Sequence, residues 1–200
     1  MKHIIGTRIK LFWGIFSMSK KLKIFLSITA ILIGVYFVNL ALKDNEQEIK
    51  KTMYSLNQPM TNIAHIEFLD NNQAIAFYEW GNQENLNFGS ALFKKNIFGW
   101  KLVGNSSAVL LSHGYKLDWG FLNLKFHFSN YTDVIRGKIL DPQIEEVNVK
   151  TNGGNEYKAK LVEYNNDEKF WFLVTNGEDL IGSTITGLSS DGKIIEQITQ

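Results

Sequence analysis

The sequence predicts a mainly β protein: an N-terminal transmembrane helix and a short stalk helix, then an antiparallel β meander followed by a small immunoglobulin-like β-sandwich. Three observations predict it. Ile24 to Leu42 is a run of nineteen residues without a charge, preceded by a basic segment. From Ala64 onward, short runs alternate apolar and polar side chains, the period of a half-buried strand. Clusters such as Asp70-Asn71-Asn72, Asn152-Gly153-Gly154-Asn155 and Asn176-Gly177 punctuate those runs as turns.

Residues 1–23 read as a basic cytoplasmic tail. Its charges are Lys2, Arg8, Lys10, Lys20, Lys21 and Lys23, with no acidic residue. Met18 opens a second well-formed start, MSKKLK, so the sequence leaves open which methionine begins the chain. Ile9 to Phe16 either lies along the inner membrane surface or forms an unstructured tail.

Residues 24–42 read as a transmembrane helix. At about 1.5 Å per residue, nineteen residues span roughly 28 Å, close to the ~30 Å hydrocarbon core. Lys20, Lys21 and Lys23 precede the run and Lys43 alone follows it, so the positive-inside rule keeps the N-terminus in the cytoplasm. A cleaved signal peptide is the competing reading. Its hydrophobic core is usually about 7–15 residues, and Val38-Asn39-Leu40-Ala41 lacks a small residue at the −3 position, so an uncleaved anchor is expected.

Residues 43–59 read as a helical stalk. Asp44 or Asn45 can cap it, Glu46 and Glu48 suit its first turn, and Ile49, Met53 and Leu56 form one stripe. Pro59 ends it. The helix either prolongs the membrane helix or docks its stripe on the domain.

Residues 60–133 read as an antiparallel β region. Strands are expected around Ala64–Phe68, Gln73–Trp80, Leu86–Lys94, Trp100–Val103 and Trp119–Phe128, with Leu122, Leu124, Phe126 and Phe128 on one face of the last. Gly104 to Asp118 is the least regular stretch. Residues 134–200 read as a sandwich-like region. Its expected strands are Val134–Ile139, Glu145–Lys150, Tyr157–Tyr164, Lys169–Thr175, Ser183–Leu188 and Ile194–Thr199. The pattern leaves one β domain or two open, with a soft boundary near Tyr131–Arg136.

Several short segments carry a resemblance. They are Ala76-Phe77-Tyr78, Phe93-Lys94-Lys95, Gly99-Trp100-Lys101, Gly137-Lys138-Ile139, Val147-Asn148-Val149, Phe170-Trp171-Phe172 and Asp191-Gly192-Lys193. In these the chain resembles small, uncharacterised membrane-anchored extracytoplasmic proteins of Gram-positive bacteria. The resemblance implies a cell-membrane location and a β-rich fold, and transfers no activity.

Composition narrows the chemistry. The chain is 44% hydrophobic and 13% aromatic, enough for a packed core. From Asp44 onward it carries 20 acidic and 14 basic residues, and this acidic balance argues against a nucleic-acid backbone as partner. No cysteine is present, which excludes disulfides, thiolate metal sites and a cysteine nucleophile.

Candidate sites were weighed against plainer roles. His113, beside Ser112 and Gly114 with Asp118 near, is the best-placed hydrolase candidate; it lacks a G-x-S-x-G context, and a loop histidine is the plainer role. His65 with Glu67, and His127 with Asp133, read as polar sheet faces. Glu79 and Asp118 can be nominated as a glycosidase pair, but nothing in the sequence selects them. Asp141, Glu145, Glu146 and the Asn165–Glu168 turn show no calcium-loop spacing. Asn105-Ser106-Ser107 and Asn130-Tyr131-Thr132 match the glycosylation pattern, which matters only in a eukaryotic secretory pathway. Trp80, Trp100 and Trp119 fall at strand ends, where they either stack on a ligand or fill the core. No metal or cofactor is expected. The leading expectation is a non-enzymatic, membrane-anchored module that binds another envelope protein. The alternatives are a cell-wall glycan-binding module using the three tryptophans, and a hydrolase around His113.

Overall fold

The computed structural model describes residues 19–41, 44–55, 60–82, 85–108, 114–165 and 167–199. It is mainly β and falls into two compact units, Met1–Asp44 and Asn45–Gln200. Of the expected tail, 1–23, residues 1–18 lie outside the described residues, and Lys20, Lys21 and Lys23 stand at the start of a helix.

In the first unit, α1 runs Lys20–Ala41. The Ser19 carbonyl accepts from the Leu22 and Lys23 amides at 3.0 and 3.1 Å, which starts the helix. Ile24, Phe25, Ile28, Leu32 and Val35 are exposed. Among the described residues no helix is long and apolar enough to cross a membrane. The described stretch opens with three lysines, and the last residue of the uncharged run, Leu42, lies outside it.

In the second unit, α2 (Asn45–Tyr54) carries Glu46 and Glu48 in its first turn and Lys51 in its last, as the helix dipole favours. It is not a free stalk. Ile49 and Met53 are fully buried against Ile66, Ala74, Ala76, Tyr78, Ala91, Phe93 and Trp100. The alanines on that sheet face let the helix approach closely. Leu56 and Pro59 lie outside the described residues.

Sheet A is the meander β1 (Met60–Phe68), β2 (Gln73–Asn82), β3 (Asn85–Asn96) and β4 (Gly99–Ala108). A register shift between Ile63 and His65 turns the histidine ring towards Phe77, Phe170 and Phe172. The remaining strands are β5 (Gly120–Asn123), β6 (Asp133–Ile139), β7 (Glu146–Lys150), β8 (Glu156–Lys158), β9 (Lys160–Tyr164), β10 (Glu168–Val174), β11 (Thr184–Leu188) and β12 (Ile194–Thr199). They form sheet B, ordered β5-β6-β10-β9, and sheet C, ordered β12-β11-β7-β8.

The alternation of side chains sets the layers. On one face of sheet B, Val134, Phe170 and Phe172 meet Ile75, Phe77, Phe88 and Leu92 of sheet A. On its other face, Ile135, Ile139 and Trp171 meet Val147, Val149 and Ile185 of sheet C. β10 is therefore buried on both faces, as its unbroken apolar run Phe170–Val174 requires.

Three expectations change. Trp119–Phe128 is not one strand. The chain leaves β5 after Asn123 and makes a helical turn, with the Phe128 amide 2.7 Å from the Leu124 carbonyl. Leu124 and Phe128 are thereby buried, while Phe126 is 89% exposed. Tyr157–Tyr164 is two strands: β8 belongs to sheet C and β9 to sheet B, and the buried Ala159 between them makes the crossing. Finally, β5 pairs with β6, so sheet B draws on both sides of the expected boundary at 133/134.

Candidate functional site

Apart from Asp133, whose carboxylate accepts from the Asn123 amide and the Leu180 N–H, the buried ionisable groups collect between sheets A and B. On β6, Val134, Arg136 and Lys138 share the face towards sheet A, because alternate residues point the same way. On β2, Ile75, Phe77 and Glu79 share the opposing face by the same rule. The interface is thus apolar at one end and charged at the other. Lys138 Nζ lies 2.7 Å from Glu79 Oε1 and 3.3 Å from Glu168 Oε1. The Tyr164 hydroxyl donates to the same Glu79 oxygen at 2.9 Å. Burial, and then the Glu79 carboxylate, push the Tyr164 phenol well above its ordinary value, so it stays a donor. Lys138 Nζ also sits 5.6 Å from the centre of the Tyr164 ring.

Arg136 is only 1% exposed. Its Nη2 donates to the Ser106 carbonyl at 2.9 Å, and its Nε and Nη1 have no partner among the described residues. Burial brings this guanidinium down to about 10, while Asp118 and then Tyr78 oppose the shift. It remains a cation at neutral pH. Asp118 is buried beside it, and its backbone carbonyl accepts the Trp171 indole N–H at 3.1 Å. Both carboxylates nominated from the sequence, Glu79 and Asp118, are therefore buried among cations. Lys138, Arg136 and Tyr164 were not singled out from the sequence. For Arg136 and Lys138 the signal was two cations two positions apart in the otherwise uncharged stretch Val134–Ile139; Tyr164 carried none.

A second tie closes the neighbouring edge. His65 Nε2 lies 2.8 Å from Glu67 Oε2, and Lys160 Nζ of β9 lies 2.7 Å from the same oxygen. Burial works against the charged form of Glu67. Hydrogen bonds from Lys160 and His65 outweigh it and hold the carboxyl below its ordinary range. The depressed value gives the sign of its pH dependence. The stabilising contribution is complete above the unfolded carboxyl value of about 4.3 and is lost as the pH falls through the lower folded value. The stability gap between wild type and Glu67→Gln is expected to shrink between about pH 6 and about pH 3, read by urea unfolding at each pH. A gap that stays constant or widens on acidification would contradict this sign.

The tryptophans do not converge. Trp100 is 4% exposed, its indole N–H donates to Asn45 Oδ1 at 3.1 Å, and its ring packs edge-on against Phe68. Trp80 is half-buried on the same helix-covered face of sheet A, its indole nitrogen without a partner among the described residues. Trp119 is half-buried against the core between sheets B and C. All three serve packing. His113 and Ser112 lie outside the described residues. Among the described residues no group of three His, Asp or Glu side chains could hold a metal ion.

The outward face of sheet C is built differently. Asn148, Thr184, Thr186 and Gln197 point away from the core that Val147, Val149 and Ile185 enter. Gln197 Nε2 donates to Thr186 Oγ1 at 3.1 Å, and Lys158 pairs with Glu146 at the β7–β8 edge. A shallow hollow of about 370 Å³ lies on this face, framed by Lys150, Glu156, Leu188, Gly192 and Ile194. Its lining is mixed: the hydroxyls of Thr184 and Thr186 and the amides of Asn148 and Gln197 share it with the apolar Leu188 and Ile194.

No family model matches the sequence, and no curated protein and no solved structure matches it.

Proposed function

We propose that this protein is a membrane-anchored recognition module whose β domain binds another macromolecule of the cell envelope, without catalysing a reaction. Sheet C carries this reading. It presents an uncovered, flat row of hydroxyl and amide groups around a shallow hollow, while the interior ionisable groups are engaged in ties between layers. A polar, preformed sheet face suits reversible docking of a protein surface.

Anchoring is supported by the character of α1. Beyond its opening lysines, its exposed side chains are mostly apolar, among them Ile24, Phe25, Ile28, Ile31, Leu32 and Val35, and such a helix belongs in apolar surroundings. The Thr29 hydroxyl donates to the Phe25 carbonyl at 2.9 Å, so this polar group needs no water. The uncharged run Ile24–Leu42 and the lysines before it support an extracytoplasmic β domain by the positive-inside rule. An immunoglobulin-like reading of sheets B and C is supported by their strand orders. Taking β5 as strand A, they read A-B-E-D and G-F-C with one added edge strand. That kinship is one of fold and transfers no activity.

The chain has no cysteine, so Thr186→Cys introduces a sole reactive thiol on the proposed face. Full-length protein carrying a photo-crosslinker there is expected to capture one predominant envelope protein in its own cells. The same probe at Asn176→Cys, on a turn away from that face, is expected to capture none. Equal, diffuse labelling from both positions would overturn the docking face. Capture of wall polymer in place of protein would transfer the role to glycan binding.

A further inference from the structure

The turn between β3 and β4 contradicts ordinary turn chemistry. Asn96 pairs with Gly99 across the hairpin, and Gly99, at φ +116°, takes a conformation suited to glycine. The Phe98 amide donates to Asn96 Oδ1 at 2.8 Å, which makes the turn a defined, preorganised one. Yet the two residues at its tip are Ile97 and Phe98, where glycine, asparagine or aspartate is usual. They are 69% and 70% exposed. Conflict between local chemistry and position is the mark of a functional demand.

The charges around the tip point to the same demand. Lys94 and Lys101 stand directly opposite each other in the β3–β4 ladder, and no acidic group pairs with either among the described residues. Like charges so placed are destabilising unless something external compensates them. Lys95 is adjacent. Two apolar side chains beside the exposed pair Lys94 and Lys101 match the layered polarity of an anionic membrane interface, where apolar groups enter the acyl boundary and lysines meet headgroups; the Glu48 carboxylate of α2 lies against Gly99 at the same turn.

The base of this hairpin is tied to Asn45, the residue at which the second unit begins. Asn45 Oδ1 accepts from Lys95 Nζ at 2.7 Å and from the Trp100 indole at 3.1 Å. In the sequence only Lys43 and Asp44 separate Asn45 from Leu42, the last residue of the uncharged run.

We propose that Ile97 and Phe98 insert into the headgroup boundary of the membrane, with Lys94 and Lys101 on anionic headgroups. The hairpin is a second, peripheral foot of the β domain on the membrane. This rests on the anchoring reading, and the test separates the two. Full-length Phe98→Cys and Ser190→Cys proteins, each labelled with an environment-sensitive fluorophore, are reconstituted in phosphatidylcholine vesicles with and without phosphatidylglycerol. Alkaline extraction first reports anchoring. Retained protein is expected to show blue-shifted emission at position 98, quenched by nitroxide lipids and stronger with phosphatidylglycerol, while position 190 behaves as in water. Retained protein with water-like emission at both positions would end the proposal and leave the anchor standing. Protein released by extraction would remove the anchor. The released chain is then added to phosphatidylglycerol vesicles, where a shift at position 98 sustains lipid insertion and its absence ends it.

Discussion

Lys138→Met is expected to cost about 3–5 kcal/mol of folding stability, the usual result of removing one partner from a buried ion pair. The ammonium lies 2.7 Å from Glu79 Oε1, and both side chains are at most 10% exposed. Methionine fills similar space but leaves the Glu79 carboxylate with one neutral donor, the Tyr164 hydroxyl. Glu168 is half-exposed and can turn to water, so it adds little to the loss. The companion variant, Lys138→Met with Glu79→Gln, is expected to recover most of the deficit. An uncharged amide oxygen can still accept from Tyr164, and no isolated charge remains. Urea unfolding of wild type, both single variants and the double variant measures the coupling directly. A single Lys138→Met variant within about 1 kcal/mol of wild type would show that water reaches this cluster and that it does not tie sheets A and B together.

Gly137→Ala is expected to destabilise by about 3 kcal/mol, at the upper end for overpacking. A Cβ at Gly137 would stand 1.7 Å from the Asp118 carbonyl oxygen and 2.9 Å from the Trp119 Cα. These are backbone atoms, so no rotamer change relieves the overlap. The segment before β5 must retreat from β6, and three features go with it. They are the 2.9 Å bond from the Asp118 amide to the Lys138 carbonyl, the Trp171 indole bond to the Asp118 carbonyl, and the seat of the buried Leu117. Gly154→Ala is the control. Its φ of +86° costs roughly 1 kcal/mol in strain, but nothing lies within 4 Å of the added methyl. Tryptophan fluorescence during urea unfolding reads both, since Trp171 is fully buried beside Gly137. Equal costs for the two variants would mean that the segment before β5 retreats at little cost, so that its close approach to β6 does not account for glycine at 137.

The function reading is less visible in the sequence than the fold, for a physical reason. Trp80, Trp100 and Trp119 were candidates because strand ends expose large rings. The same side chains also supply the apolar area that a domain without cysteine needs. Sequence position cannot separate the two roles, because exposure depends on what packs above the strand. Trp100 is covered by α2 and Trp119 by the core between sheets B and C. Ile97 and Phe98 show the converse. They read as ordinary apolar residues in the chain, and only the hairpin that lifts them clear of the core makes them conspicuous.

By itself the sequence determined the strands, because alternation of side chains across a pleat is a local property. Ile194–Thr199 coincides with β12, and Val134–Ile139 and Lys169–Thr175 each fall within one residue of β6 and β10. It also determined α2, through its acidic first turn and apolar stripe. Tertiary structure alone decided which strands share a sheet. β8 and β9 read as one run, and the chain divides it at Ala159 because two separate layers claim its halves. The turn that buries Leu124 and Phe128 and leaves Phe126 in solvent is another such decision, since a helical turn and a strand compete for the same alternating residues. So is the pairing of Glu79, Lys138 and Tyr164. Glu79 lies 59 and 85 positions from its two partners, and the gap is bridged only when sheets A and B close on each other. Local patterns encode what each segment can be; desolvation on assembly selects which distant charges must meet.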